Sequence, residues 1–302
     1  MVMLKNLKTL FKERTMLPFN QITIVIIAYH GDFALLERCL NSINKHCNLN
    51  QIAAIKVVLN DAPAYTKSIA DILSKFTNLK LELVPSYVLE PVITEYFNWN
   101  TQQLFKLLIS EYVNTEWYLI HDCKDYYVQP VDFLADCFTK NNQAITKLDH
   151  TQYSDAMHHG GGLLPFNLAH EIACKVWGID SSDTVRWHLP TTTPFFVKTT
   201  MMKNMVTELR GMLRGFFPYL FNLAINEQRF CTEFLLYSAY CMKQNSLSDY
   251  VDNSQKSEYY NKLEQSKDLR VYFPAWPEEK QKHFVSGKVW IYEQGQWLPA
   301  TN

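Results

Sequence analysis

The chain has 302 residues, of which 47% are hydrophobic, and this is enough for one large domain with a sizeable buried core. Its 29 Lys and Arg residues almost balance its 30 Asp and Glu residues, so no overall basic field favours a nucleic-acid partner. Seven cysteines without a CxxC pair argue against a zinc site and against a disulfide scaffold, and they favour reduced thiols in a cytoplasmic protein.

Residues 1–20 are predicted to form an N-terminal amphipathic helix. Four apolar residues share one helical face of 1–14: Leu4, Leu7, Leu10 and Phe11. Two interpretations are open for this helix. It packs on the protein's own surface, which we favour, or it contacts the inner membrane surface peripherally. No segment approaches the ~20 apolar residues of a membrane span, and no signal peptide is expected.

Alternating strand and helix patterns in the first half predict an α/β fold. Residues 22–28 (ITIVIIA) are a continuous β-branched run, which is typical of a buried strand in a parallel sheet. Further strands are predicted over 52–59, 79–84 and 117–121, and helices over 33–46, 65–76 and 100–113. This order with short connections predicts a doubly wound, mostly parallel sheet with helices on both faces.

The pattern after residue 130 predicts a largely helical C-terminal half. Helices are predicted over 131–140, 167–177, 199–213 and 229–243, and short strands near 144–148, 194–198 and 269–273. The polar stretch 245–268 indicates a surface loop or a poorly packed helix, and 288–298 predicts a terminal hairpin that turns at Gln294 and Gly295. One domain is expected over 21–245, with 246–302 as an extension packed on it.

Polar residues follow three of the predicted strands, and ligands of open α/β sheets bind outside the carboxyl ends of strands. These residues are Tyr29, His30 and Asp32 after the first strand, Asn60 and Asp61 after the second, and Asp122, Lys124 and Asp125 after the fourth. The chain has no GxGxxG after its first strand and no GxxxxGK[ST], which argues against a dinucleotide fingerprint and a P-loop.

Several stretches resemble GT-A glycosyltransferases. ITIVIIAYHGDFALLERCLNSI resembles their first strand and helix, and EWYLIHDCKDYYVQPVDF resembles the strand that ends in their D-x-D element. FNWNTQQLFKLL, TPFFVKTTMMKNM and CTEFLLYSAYC resemble elements of a poorly characterised bacterial and viral GT-A-like group, DUF6492. The resemblance covers roughly residues 20–245 and depends more on the order of the motifs than on any single one.

The resemblance implies a GT-A-like fold and a hexosyl- or pentosyltransferase. The donor would be a nucleoside-diphosphate sugar, with a UDP-sugar favoured. The acceptor would be a hydroxyl group of a glycan, a lipid-linked sugar or a modified nucleobase, and the near-neutral charge favours a glycan over DNA. No stable protein partner is implied.

The resemblance also implies a divalent cation, Mn²⁺ or Mg²⁺, that neutralises the leaving diphosphate, with Asp122 and Asp125 as its ligands. The second acid of the D-x-D pattern would fall at residue 124, which is a lysine here. Asp125 comes one position late and would point to the other face of an extended backbone. Lys124 can itself stabilise a diphosphate as a point charge, so a metal and a lysine are both open. A turn or helix cap is the structural alternative for both aspartates.

The nucleobase and ribose are expected at the ends of the first two strands, on Ala28, Tyr29, His30, Asp32, Asn60 and Asp61. A ring such as Tyr29 suits stacking, and a carboxylate accepts ribose hydroxyls. Asp32 has an equally weighted alternative as a helix cap. Asn60 and Asp61 have an alternative as a turn before Pro63.

A predicted helix supplies further candidates for contact with the sugar or the diphosphate: Gln102, Gln103 and Lys106. Gln102 and Lys106 are four residues apart and share a face, and Gln103 is displaced by about 100°. A surface helix with a buried Trp99 is the alternative.

Glu233 is the candidate general base for an inverting transfer, because it is an acidic residue in an otherwise apolar, aromatic helix where burial raises a pKa. Its alternative is a favourable charge at the helix N-terminus beside Thr232. His188 is the reserve candidate, and Asp122 is expected to act directly or through water.

Two other functions are open. A sugar-1-phosphate nucleotidyltransferase would need a glycine-rich phosphate loop after the first strand, where only Gly31 is present. A GT-A scaffold that binds a glycan or a nucleotide-sugar without turnover is favoured by Lys124 at the expected metal position.

Overall fold

The computed structural model describes residues 20–91, 97, 99–146, 149–151, 166–179, 186–189, 193–213, 232–252, 263–265, 290–293 and 296–299. The predicted strand near 269–273 and almost all of the predicted N-terminal helix lie outside these ranges. Among the described residues, no helix combines the length and the apolar composition of a membrane span.

Thirteen strands are described in the chain. They are β1 (Ile22–Ala28), β2 (Ile52–Leu59), β3 (Leu81–Pro85), β4 (Trp117–Asp122), β5 (Asp125–Tyr127), β6 (Ala144–Thr146), β7 (Asp149–Thr151), β8 (Arg186–His188), β9 (Phe195–Lys198), β10 (Tyr250–Asp252), β11 (Leu263–Gln265), β12 (Trp290–Glu293) and β13 (Gln296–Pro299). The described helices are α1 (Phe33–His46), α2 (Thr66–Leu73), α3 (Ser86–Leu89), α4 (Trp99–Leu108), α5 (Phe133–Cys137), α6 (Phe166–Val176), α7 (Thr199–Leu213) and α8 (Glu233–Lys243).

The central sheet has the strand order β3-β2-β1-β4-β9. The first four strands in this order are parallel, and β9 pairs antiparallel with β4. All seven residues of β1 are buried, because this strand is covered on both faces. The prediction of a mostly parallel α/β sheet is confirmed.

Helices cover both faces of this sheet. α1 contacts α2, whereas α4 contacts β1 and packs with α7 and α8. The chain runs outward from β1 to β3 and then returns to place β4 on the other side of β1. Since crossovers between parallel strands are right-handed, this reversal puts the later helices on the opposite face. It also makes the gap between β1 and β4 the topological switch point, where ligands of such sheets bind.

Several predicted boundaries differ from the observed ones for local reasons. α4 ends at Leu108 and continues as a 3-10 turn over Ile109–Tyr112. α8 begins only at Glu233, because the Thr232 side chain caps it by accepting from Leu235 N. α5 is shorter than predicted because Asp132 caps its start in the same way and because Phe138 is extended and forms a bridge with Ala144.

Short strands are described at several places after residue 245. The prediction of a loop or helix over 245–268 is wrong at two places, because β10 pairs with β6 and β11 pairs with β5. β12 and β13 pair antiparallel, with Glu293 opposite Gln296, where the terminal hairpin is predicted.

Candidate functional site

The ends of β1, β2 and β4 lie side by side at the carboxyl edge of the sheet. Ala28, the last residue of β1, is opposite Leu59 of β2, and Ile27 is opposite Asp122 of β4. The Ala28 carbonyl accepts a hydrogen bond from Asn60 N at 2.8 Å. The parallel register therefore brings together the polar residues that follow these strands.

An ion pair occupies the end of β4. The Lys124 ammonium lies 3.2 Å from Asp122 Oδ2, and their side chains are 35% and 20% exposed. Burial raises the pKa of Asp122, but the positive charges of Lys124 and Lys106 outweigh this effect and lower the pKa to about 2. Asp122 is therefore ionised at neutral pH, and Lys124 keeps an exposed face for an anionic ligand.

The second predicted metal ligand, Asp125, is buried next to this pair. Asp125 is 1% exposed and accepts a hydrogen bond from Thr193 Oγ1 at 2.9 Å. In the described part of the chain, no three His, Cys, Asp or Glu residues are grouped so that they could hold a metal ion. Because Asp122 is paired with an ammonium and Asp125 is buried, the donor set does not fit a resident divalent cation. The sequence-based expectation of one stays a prediction for experiment.

Asp32 lies between the aromatic residues and the ion pair. It stands at the N-cap position of α1, yet its side chain makes no capping hydrogen bond. Burial raises the pKa of Asp32 to about 7, and the negative charge of Asp122 adds to this effect, while Lys124 and His30 oppose it. Asp32 therefore does not cap α1 through its side chain, and the pKa of its carboxyl group lies near neutral pH.

Beneath the edge, α4 and α8 are joined by a buried ion pair. Lys106 Nζ lies 2.8 Å from Glu233 Oε1, and the side chains are 5% and 1% exposed. Turned so that its nitrogen faces Glu233, the Gln103 amide donates to both carboxylate oxygens. Burial lowers the pKa of Lys106, but Glu233 and Asp122 outweigh it and raise the pKa, so the ammonium stays charged.

This pairing bears on two predicted catalytic residues. Burial raises the pKa of Glu233 and the nearby Lys106 opposes the rise, yet the carboxylate is buried rather than open to an acceptor. An acceptor hydroxyl would reach Glu233 only after the pair opened. His188 lies in β8 opposite Asp149, and its side chain is outside the described part of the structure.

Aromatic rings line the ends of β1 and β2. The His30 ring stacks on Tyr65 with centroids 4.4 Å apart and planes 8° apart, and Tyr29 meets it edge-on at 5.6 Å. Asp61 Oδ2 accepts from both His30 N at 2.8 Å and His30 Nδ1 at 2.6 Å. Thr101 of α4 donates to Asn60 at 2.8 Å, which ties that helix to the same edge.

Comparison with known proteins agrees with the sequence resemblance. One family model, described as a family of unknown function, matches residues 20–291. The chain belongs to the DUF6492 family. A search of curated proteins found no match for this member of the family.

Among the solved structures similar to this DUF6492 protein are two glycosyltransferases. The apo structure of the bifunctional glycosyltransferase WbbM has a TM-score of 0.41 and 14% identity, and the match covers 90% of this chain and 45% of WbbM. The chain thus spans less than half the length of WbbM. The apo form of mouse xyloside xylosyltransferase 1 has a TM-score of 0.42 and 10% identity, with 77% of this chain and 85% of that chain covered.

Sequence patterns placed most of the charged residues at this edge but missed three neutral contacts. Tyr65, Thr101 and Thr193 support His30, Asn60 and Asp125 respectively. Tyr65 follows Pro63 in a short turn after β2. An aromatic residue so close to the end of a strand is a pattern from which a place in this site could have been predicted. Thr193 begins the stretch TPFFVKTTMMKNM, but no spacing in the sequence predicts its contact with Asp125, which is 68 residues away.

The buried pair gives a prediction about stability. We expect Lys106→Met and Glu233→Gln each to cost about 3–5 kcal/mol, because each leaves an unpaired buried charge. The double replacement Lys106→Met with Glu233→Gln should cost much less than the sum of the two single replacements, since it removes both charges. Urea unfolding of the four proteins measures the coupling.

The matched control is Lys67→Met, which breaks an exposed pair with Asp71 whose side chains are 84% and 64% exposed. It should cost less than about 0.5 kcal/mol. If Lys67→Met and Lys106→Met lowered the free energy of unfolding equally, Lys106 and Glu233 would not form a buried ion pair.

Asp32 gives a prediction about pH. Its pKa rises from 3.8 to about 7 on folding, so the folded protein holds a proton that the unfolded chain releases between these values. The carboxyl group therefore lowers stability as the pH rises through this window. Asp32→Asn should be more stable than wild type at pH 8, by at least about 1 kcal/mol, and should lose this advantage at about pH 4.

Urea unfolding at the two pH values tests this, with Asp71→Asn, at an exposed carboxylate, as the control. A gain that is the same at both pH values would show that charge on Asp32 is not its cause.

Proposed function

We propose that this DUF6492 protein is a glycosyltransferase that moves a sugar from a nucleoside-diphosphate sugar to a hydroxyl acceptor. The observation that carries the proposal is the meeting of Asp32, Asp122 and Lys124 at the switch point between β1 and β4, beside the stacked rings of His30 and Tyr65. This is where doubly wound sheets bind ligands. The resemblance of the same segments to GT-A sequences supports a nucleotide-sugar as the ligand.

Lys124 is proposed to stabilise the leaving diphosphate. When the bond between the sugar and the diphosphate breaks, its electron pair goes to the phosphate oxygen, and a nearby ammonium stabilises this charge. Asp122 lies 3.2 Å from Lys124 and is held ionised, so it orients the ammonium at the edge of the sheet. A cation fixed by a carboxylate in this way needs no further reorganisation when the charge develops.

Lys106 and Glu233 are proposed to support Asp122 from below rather than to contact the acceptor. The Lys106 ammonium is bound to Glu233 and, with Lys124, favours the ionised form of Asp122. The Gln103 amide contacts the Glu233 carboxylate and so holds Glu233 in place beside Lys106. The pair between α4 and α8 therefore holds the Lys106 charge where it favours the ionised form of Asp122.

A UDP-sugar is the proposed donor and a glycan hydroxyl the proposed acceptor, with Mn²⁺ or Mg²⁺ dependence left to the EDTA comparison below. We place the reaction in the cytoplasm, which is supported by six buried cysteine thiols among the described residues. Residues 1–14 are the proposed peripheral membrane contact.

A second function is favoured by one observation. Glu233 is 1% exposed and paired, so the predicted general base is not open to an acceptor. This arrangement fits a protein that binds a nucleotide-sugar or a glycan without turnover. Release of free sugar from the donor would favour the transferase over this binding protein.

Thermal shifts test the proposal. UDP, GDP, CMP and dTDP are added to wild type, each with Mn²⁺ or with EDTA. We expect one nucleotide to raise the unfolding temperature in EDTA, because ligand binding stabilises the folded state by mass action. The shift should be lost in Lys124→Gln and reduced in Asp122→Ala, since these residues supply and orient the charge.

Lys75→Gln is the matched control, because Lys75 is an exposed lysine that pairs with Glu37. Its shift should equal that of wild type. A shift that needs Mn²⁺ would move the charge role from Lys124 to a metal. No shift with any nucleotide would overturn the transferase proposal and leave a glycan-binding protein.

A further inference from the structure

The backbone and side chain of His30 are both held by one carboxylate. Asp61 Oδ2 accepts from His30 N at 2.8 Å and from His30 Nδ1 at 2.6 Å. Asp61 Oδ1 accepts from Ala62 N at 2.7 Å. Three N–H groups thus occupy most of the roughly four acceptor positions of this carboxylate, so Asp61 positions His30 rather than contacting a ligand.

This contact also fixes which ring nitrogen of His30 carries the proton. A carboxylate accepts only from a protonated nitrogen, so the proton is on Nδ1, and in the neutral ring Nε2 is an acceptor. The side chain is 51% exposed, and no hydrogen-bond partner for Nε2 lies among the described residues. The ring therefore presents a bare acceptor in its own plane at the edge of the sheet.

The plane of the ring is fixed as well. Tyr65 stacks on it with planes 8° apart. Tyr29 lies edge-on to the His30 ring and folds over Gly31, so a side chain at residue 31 would push the Tyr29 ring aside. A fixed acceptor among aromatic rings suits a flat, hydrogen-bonding ligand such as a nucleobase.

We propose that His30 Nε2 selects the nucleobase by accepting a hydrogen bond from a ring N–H. Uracil carries such a group at N3, whereas cytosine has a lone pair at the same position and would face another acceptor. The site should therefore take uridine nucleotides in preference to cytidine nucleotides. This inference rests on the proposed function, because it assumes that a nucleotide binds at this edge.

Calorimetric titration of UDP and CDP at pH 8.5 tests the inference. Wild type should bind UDP about tenfold or more tightly than CDP, because CDP leaves two acceptors facing each other. His30→Phe keeps a ring on Tyr65 but removes Nε2. The affinities for UDP and CDP should then differ by about twofold or less.

His46→Phe is the matched control, because it makes the same change at the opposite end of α1. Its ratio should equal that of wild type. Equal binding of UDP and CDP by wild type, or a ratio that survives in His30→Phe, would overturn the selection by His30 while the nucleotide site stands. If His30→Phe weakened the binding of UDP and CDP in equal proportion, His30 would contact the ribose, and this result would also overturn the selection of the nucleobase by His30. Absence of any nucleotide binding would instead overturn the proposed function.

Discussion

The ammonium of Lys124 is 3.2 Å from the Asp122 carboxylate at the end of β4, and the chemistry of the whole edge depends on this pair. A lysine here gives the site a fixed positive charge in the place where the GT-A pattern puts a metal-binding carboxylate. It also keeps Asp122 ionised, because the Lys124 and Lys106 charges together outweigh the effect of burial on its pKa. A diphosphate that reached the edge would meet an ammonium already oriented for it.

Around this pair, the site is assembled from contacts between residues far apart in sequence. Lys106 and Glu233 are separated by 127 residues, and they join two helices beneath the sheet. His30 and Asp61 are separated by 31 residues, and they join the loops after β1 and β2. Each contact fixes a side chain that would otherwise have several rotamers. The order of the strands brings these segments together, so the fold and the electrostatics of the site depend on one another.

Local patterns predicted much of the fold, because they depend on neighbouring residues. The strand over 22–28 and the helix over 33–46 were correct to the residue, since a buried β-branched run and a regular apolar period leave little freedom. The roles of Asp61 and Glu233 could not be predicted in this way. Each carboxylate binds a partner from a distant segment, and the local spacing of residues in the sequence does not predict such a partner. A single sequence shows which groups stand at strand ends, but not which of them are already paired.

The most direct test of the account is a crystal structure of the protein with UDP bound in the presence of EDTA. We expect the diphosphate at the switch point between β1 and β4, with a phosphate oxygen within about 3 Å of Lys124 Nζ. We also expect Asp122 to remain beside the ammonium. A diphosphate held elsewhere, or held only through a cation on Asp122, would contradict the central role given to Lys124.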